Sequence, residues 1–291
     1  MDLFLQLIIQ GLATGGLYAI LGVSFGLIFN TTRVFHFAHG ATISIAGYAI
    51  YFLVARFGLP LWLAMVGAAV VCALFGMACE LFLYRPLRHR GAPPLLWFLA
   101  SFALLVVLQN VMLILFGGVP MTLATGASDS VRLAGVRVSE LALWKMAAGA
   151  GVVGFLYLLL RHAQIGKELR AIVSHPEMAR IAGIDLDRAY LQAYALGSML
   201  VVPASAIALF DQGASPDLGE APLLIATVAV FAGGIGAFMG GALGGLVLGL
   251  LSSIAVYWFA ASFQLTIALG ALTLFLLWRP TGLLGVRLRR V

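Results

Sequence analysis

Two histidines three residues apart are the side chains of this sequence that come nearest to a metal-binding pattern. His36 and His39 precede and begin an apolar run, and on a helix they would share one face. Two imidazoles can bind a metal ion, but a protein site usually adds cysteine, a third histidine or a carboxylate, and none lies nearby in the sequence. We therefore expect a hydrogen-bonding or structural role near one mouth of the protein, and no metal site.

Patterns typical of enzymes and nucleotide-binding proteins are missing from the sequence. It contains no G-x-x-x-x-G-K-[ST] phosphate loop, so the chain is not expected to bind ATP or any other cofactor itself. No acid, base and metal ligands converge within the apolar segments, so we expect no catalytic residues and no enzyme activity. Cys72 and Cys79, seven residues apart, would lie about 10 Å apart on one helix, too far for a disulfide.

Amide side chains interrupt one of the apolar runs. Gln109 and Asn110 lie deep within residues 95–116, where amides either join helices or line a solute pathway. Both alternatives remain open from the sequence. The candidates for lining a pathway are His36, His39, Ser44, Gln109 and Asn110.

The elements that must position these side chains are membrane helices. Of the 291 residues, 63% are hydrophobic and 10% are charged, whereas soluble domains carry about 25% charged residues. Alternating strand patterns are absent, so we predict an all-α polytopic transmembrane bundle forming one domain over residues 1–291. The net charge of +6 lies in the connections, which favours a topological explanation over a nucleic-acid partner.

Hydrophobic runs of about 20 residues predict eight or nine membrane segments. The segment 222–236 is short and is therefore expected to be tilted, broken or re-entrant. The candidate segments are 4–29, 37–56, 60–83, 95–116, 142–160, 189–210, 222–236, 238–258 and 262–278.

Basic residues predict the orientation of these segments. With the N-terminus outside and the C-terminus in the cytoplasm, 13 of the 17 basic residues face the cytoplasm, and only Arg56, Arg132, Arg137 and Lys145 lie outside. The acidic residues Asp211, Asp217 and Glu220 then fall in an outside loop, and no carboxylate or lysine is expected at mid-membrane depth.

Residues 161–188, here called the charged segment, stand out from the apolar sequence around them. Ser174-His175-Pro176-Glu177 has the S-x-x-E form of a capping box with proline in the first turn. Gly183 stands where a left-handed residue ends a helix. Between them the pattern predicts a helix of about two turns, near 12 Å long.

One face of this short helix is apolar. Met178, Ile181 and Ala182 share it, and Glu177 and Arg180 flank it. A helix of two turns does not hold itself together in water. It must therefore dock onto a partner, pack on its own bundle or lie at the lipid surface.

Several separated motifs, taken in order, resemble one known family. They are RVFHFAHG (33–40), YRPLR (84–88), LQN (108–110), GKELRAIVSHPEMARIAGIDLDR (166–188) and GGIGAFMGGALGGLVLGL (233–250). Together they closely resemble the membrane permeases of branched-chain amino acid ABC importers of the LivH type, from about Gly11 to Gly285.

The resemblance implies a set of partners and a role for the charged segment. Such permeases pair with a second permease, two cytoplasmic ATPase subunits that bind ATP and Mg, and a periplasmic substrate-binding protein, in the lipid of the bacterial inner membrane. The charged segment matches the family's cytoplasmic coupling segment. The coupling residues would be Lys167, Glu177, Met178, Arg180, Ile181 and Gly183.

Departures from the family pattern leave the solute open. The sequence has His36 where the family commonly has asparagine, and 236–240 reads GAFMG instead of GSIPG. The resemblance also extends to relatives that carry urea and short amides. The alternative function is a passive channel for such a small polar solute, because glycine-rich segments and scattered amides would suit a pore, although a channel does not need a capped docking helix.

Glycines spaced by four form two interlaced rows near the C-terminal end. Small residues at this spacing let helix backbones approach closely, and we expect a packing role, either within this chain or against a second permease. The glycines are Gly236, Gly240 and Gly244 in one row, and Gly241, Gly245 and Gly249 in the other.

Overall fold

The fold is built from apolar helices, as the composition predicts. A computed structural model describes residues 2–123, 130–133, 136–255, 264–279 and 282–284. Its helices are α1 (Asp2–Thr32), α2 (His39–Ala55), α3 (Leu61–Ala78), α4 (Arg85–His89), α5 (Pro94–Phe116), α6 (Glu140–His162), α7 (Gln164–Ser174), α8 (Pro176–Ile181), α9 (Leu186–Leu200), α10 (Val202–Gln212), α11 (Glu220–Gly233), α12 (Gly240–Ala255) and α13 (Gln264–Trp278).

A small hairpin departs from the all-α prediction. Strands β1 (Ser130–Leu133) and β2 (Val136–Ser139) pair antiparallel, with Ser130 opposite Ser139 and Leu133 opposite Val136. Each strand has only four residues. Such short strands leave too weak an alternation in the sequence to be recognised.

Each of the nine predicted segments coincides with helix in the described part of the chain. Among the residues that the structure describes, five helical stretches are long and apolar enough to cross a membrane: Gln6–Thr32, Leu61–His89, Pro94–Phe116, Glu140–His162 and Leu186–Gln212. Three further apolar helices, α2, α11 and α12, are shorter. The chain is therefore a multi-pass helical membrane protein.

Two of the long stretches are interrupted. Between α3 and α4 the helix widens into a π-helical segment, Cys79–Tyr84. Between α9 and α10 it breaks at Val201, and Pro203 stands in the first turn of α10, where its missing N–H costs no hydrogen bond. Proline and π-helical turns are the usual causes of such irregularities, and π-turns often lie at functional sites.

The chain divides into two compact units. The first comprises residues 1–26, 124–155 and 224–291, and the second comprises 27–123 and 156–223. In the second unit, α3 packs against α2 and α9, and α10 packs against α2. Gly76 of α3 permits this close approach, because a methyl group there would meet the carbonyl oxygen of Tyr194 at 2.5 Å.

The glycine rows lie within the first unit, and their neighbours belong to the same chain. A methyl group at Gly241 or Gly249 of α12 would collide with the backbone of α1, at Gly22 and Gly15 respectively. On the other row, Gly244 faces the backbone of Ala229 in α11.

Three more of the predicted glycines have distinct surroundings. Gly245 faces the α1 backbone at Tyr18, and Gly240 faces Gly233 at the end of α11. Gly236 precedes α12 and has φ +91°, so it belongs to the turn before the helix and not to a helical row.

Candidate functional site

The first half of the charged segment is an amphipathic helix held on the second unit. Helix α7 buries Gly166, Leu169 and Ile172 and contacts α9. A methyl group at Gly166 would collide with the backbone of Leu159 and Leu160, so the helix lies directly against the end of α6. Lys167 is exposed.

The start of α8 differs from the predicted capping box. The N-cap is His175, in an extended conformation, and its side chain makes no capping hydrogen bond. Ser174 ends α7 instead, where its hydroxyl donates to the Arg170 carbonyl oxygen at 3.0 Å. Pro176 is the first residue of the helix, and proline is favourable at this position because its fixed φ matches that of the first turn.

The end of α8 has the predicted glycine. Gly183 has φ +87°, and its N–H donates to the Arg180 carbonyl oxygen at 3.0 Å. The N–H of Ile184 donates to the Ala179 carbonyl oxygen, also at 3.0 Å. This pair of bonds is the Schellman motif, which satisfies two carbonyls left over at the helix end.

The apolar face of α8 is left open by the described part of the chain. Met178 is 66% exposed and Ile181 is 81% exposed, whereas Ala179 on the opposite face is buried. The flanking side chains of Glu177 and Arg180 are exposed as well. Met178 and Ile181, here called the docking face, thus form an apolar projection that the chain's own packing does not explain.

A network of ion pairs follows directly after this projection. Asp187, in the first turn of α9, accepts from Arg85 Nε at 3.0 Å and from Arg88 at 3.2 Å, and lies 3.0 Å from His89 Nε2. The Asp185 side chain caps α9 by accepting from the Asp187 and Arg188 N–H groups. The network therefore ties the chain that leaves α8 to the end of the Leu61–His89 stretch.

The same network reaches one fully buried carboxylate. Glu80, 1% exposed, is paired with Arg88. Arg85, three residues earlier, is bound to Asp187 instead. Arg88 also lies over the Tyr190 ring, 4.5 Å from its centroid. Asp187 and His89 were missed by the sequence analysis, because nothing local links positions about a hundred residues apart.

The two histidines lie in a buried aromatic cluster. His36 Nδ1 lies 2.7 Å from the Tyr84 hydroxyl, and the His36 and His39 ring centroids are 5.9 Å apart. Tyr194 stacks on Tyr84, with centroids 5.1 Å apart, and contacts the edge of His36. Among the described residues, no group of three His, Cys, Asp or Glu side chains is arranged to hold a metal ion.

Ser44 joins α2 to a non-helical stretch, 213–219. Its hydroxyl donates to the Pro216 carbonyl oxygen at 3.0 Å and accepts from the Gly219 N–H at 3.2 Å. Gly219 packs directly on Gly40, where any side chain would collide with the backbone. Ser44 is buried, so in this structure its hydroxyl holds the backbone of residues 213–219 against α2 by hydrogen bonds.

The two amides of α5 make different contacts. Asn110 is exposed and donates to the Val106 carbonyl oxygen of its own helix at 2.8 Å. Gln109 donates instead to the carboxylate of Glu220 at 2.9 Å. From the sequence, Glu220 is expected in an outside loop. In the structure it is the first residue of α11, and its carboxylate lies beside Gln109 in the second half of α5.

Comparisons with known proteins agree over nearly the whole chain. The model of a family described as "Branched-chain amino acid transport system / permease component" matches residues 7–278. The high-affinity branched-chain amino acid transport system permease protein BraD of Pseudomonas aeruginosa is 27% identical over 97% of this chain and 96% of its own length.

Two further relatives extend the comparison. The corresponding permease protein LivH of Escherichia coli is 26% identical over 97% of this chain and 96% of its own length. The probable branched-chain amino acid transport permease protein LivH of Methanocaldococcus jannaschii is 27% identical, over 98% and 94%. Among solved structures, PsaBC from Streptococcus pneumoniae in complex with Fab has a TM-score of 0.47 and 15% identity, over 95% of this chain and 91% of that one.

Proposed function

The chain belongs to the family of branched-chain amino acid transport permease components, and on that premise we propose that it is the membrane-spanning subunit of an ATP-driven importer. The solute is a branched-chain amino acid, because that is the substrate named for the relatives over 97% of the chain. The same names support an importer over the passive channel that the sequence left open. Since these relatives are transport permeases, the proposal assigns no catalytic residue to the chain.

Energy for transport comes from partner subunits. The chain has no phosphate loop, so ATP and Mg are bound by two cytoplasmic ATPase subunits, while a second permease completes the pathway and a periplasmic protein delivers the solute. The observation that carries this part of the proposal is the docking face, with Met178 66% and Ile181 81% exposed. Apolar anchors with a charged rim are typical of a specific interface.

The docking face lies against a groove of one ATPase subunit in this proposal. Met178 and Ile181 enter the groove, and Lys167, Glu177 and Arg180 lie at its rim. The Gly183 turn sets the direction in which the chain leaves the groove. Asp187 then transmits a movement of α8 to Arg85 and Arg88, since these residues are joined by ion pairs.

Reconstitution tests the importer directly. The assembly purified from its native membrane, placed in liposomes with the binding protein, should accumulate labelled L-leucine only when ATP is hydrolysed. The chain alone should show no saturable flux of leucine or urea. Rapid urea flux through the isolated chain, without ATP or a binding protein, would instead establish the channel.

We also propose that the chain lies in the bacterial inner membrane with its N-terminus outside, its C-terminus in the cytoplasm and eight or nine membrane segments. The distribution of basic residues supports this orientation. Single cysteines at Val119 and Arg180, both exposed, should then differ in labelling by an impermeant maleimide added to intact cells.

The background for this labelling is a variant in which the two buried cysteines, Cys72 and Cys79, are alanine. Labelling at position 119 without lysis, and at position 180 only after lysis, is the expected result. The reverse order would invert the topology and remove α8 from the cytoplasm.

A further inference from the structure

A carboxylate lies beside the middle of α5, although the sequence places none there. α5 has 23 residues and is therefore about 34 Å long, enough to cross the hydrocarbon core. Its midpoint is Leu105, and Gln109 lies four residues further on, about 6 Å along the axis. The Gln109 amide binds the Glu220 carboxylate at 2.9 Å.

A second set of contacts also places Glu220 near the midpoint of α5 along the helix axis. A methyl group at Gly40 would lie 3.4 Å from Leu105 Cδ1 and 3.2 Å from the Gly219 carbonyl oxygen. Gly219 is fastened there by its hydrogen bond to Ser44. Residues 213–219 thus bring the chain from the end of α10 to the neighbourhood of Leu105, and α11 begins there. Non-helical backbone at membrane depth is tolerated where it is buried or lines a polar cavity.

The Glu220 carboxylate has no cationic partner among the residues that the structure describes. Within the described residues it makes no ion pair, and its hydrogen bond from Gln109 occupies only Oε1. Its side chain is exposed on this chain. Intramembrane carboxylates are rare and face a polar pathway or a partner of opposite charge, because exposure to lipid is costly.

From these contacts we infer that Glu220 and Gln109 form a solute-binding site in the membrane, at which Glu220 receives the ammonium group of the amino acid in transit. This inference rests on the proposed importer function. A branched-chain amino acid has one cationic group, and the free Oε2 of Glu220 complements it. The Gln109 carbonyl is a second acceptor for the same ammonium.

The surroundings of the pair suit the rest of the solute. Phe102 and Val106, on the turns of α5 that precede Gln109, are 47% and 40% exposed and offer an apolar surface to an aliphatic side chain. Small-molecule sites typically combine such apolar lining with a few polar groups that fix orientation. The site binds weakly and briefly, since transport requires release on the other side.

The test compares Glu220→Gln with a matched control in the complete reconstituted assembly. Glu140 is also an exposed first residue of a helix, and its carboxylate accepts a hydrogen bond from Trp144 Nε1 at 3.2 Å. Leucine uptake and ATP hydrolysis stimulated by the leucine-loaded binding protein are measured in the same preparation. Glu220→Gln should lower leucine carried per ATP at least tenfold, Glu220→Asp should restore part of it, and Glu140→Gln should leave it unchanged.

Each other outcome overturns the inference. If Glu220→Gln lowers uptake and ATP hydrolysis together, or releases the second permease, the carboxylate holds the assembly together and does not receive the solute. An unchanged ratio removes any role for it. A wild-type assembly that carries no branched-chain amino acid refutes the proposed function, and this inference with it, before any variant is compared.

Discussion

Replacing Ile181 by glutamate is expected to abolish ATP-driven uptake while the permease remains in the membrane at normal abundance. Ile181 is 81% exposed, so the chain's own stability does not depend on it. In an ATPase groove, a buried apolar anchor contributes about 1.5–3 kcal/mol, and an unpaired buried carboxylate adds a further penalty. A combined loss above about 3 kcal/mol weakens association more than about 100-fold.

The measurement is co-purification of the ATPase subunits together with permease abundance in the same membranes. Glu177→Gln, on the exposed rim of the same helix, is the comparison variant and should lower ATPase co-purification and transport far less than Ile181→Glu. Loss of the permease itself would indicate that α8 packs on its own bundle. Retained ATPase with intact transport would exclude a coupling role for this face.

Substitutions at Gly183 test the role of α8 independently of the docking face. The Gly183 φ of +87° lies in the left-handed region, and a Cβ atom there would meet no atom within 4 Å. Gly183→Val therefore acts only through backbone strain, which a β-branched residue tolerates poorly, whereas Gly183→Asn should be accepted more readily. Transport should fall more in the valine variant than in the asparagine variant.

Replacing Arg88 by leucine is expected to destabilise the permease by about 3–5 kcal/mol, because it leaves the buried Glu80 carboxylate without its partner. Glu80 is 1% exposed and has no access to water that could replace the guanidinium. The free energy of unfolding, measured by denaturant titration of the purified protein in mild detergent, checks the size of the effect.

Two further variants distinguish the destabilisation caused by an unpaired Glu80 carboxylate from the effect of removing any one charged side chain. Arg85→Leu removes an ion pair whose members are 46% and 25% exposed, and such exposed pairs contribute about 0–1 kcal/mol. The double variant Glu80→Leu with Arg88→Leu should recover most of the stability, since it leaves no buried charge without a partner. Equal destabilisation in the Arg88 and Arg85 variants would contradict the assignment of the cost to Glu80.

Local properties of the sequence determine the membrane helices and the end of the short helix α8 in the charged segment. Long apolar runs predict each helix because a membrane segment must be apolar along its whole length. Gly183 marks the end of α8 because few other residues adopt its backbone conformation. The S-x-x-E pattern at Ser174 failed, since the extended residue that precedes Pro176 is His175 and Ser174 belongs to α7.

Only the tertiary structure decides which side chains meet across the chain. Asp187 is 102 positions from Arg85, and Glu220 is 111 positions from Gln109. The second pair forms because residues 213–219 turn back along α2 to Gly40, a path that depends on two glycine backbones touching. The hydropathy of a segment indicates how apolar it is. It does not indicate which helix a following non-helical stretch, such as residues 213–219, will pack against. For that reason the sequence predicts Glu220 to be a residue of an outside loop, whereas packing brings its carboxylate to Gln109 of α5.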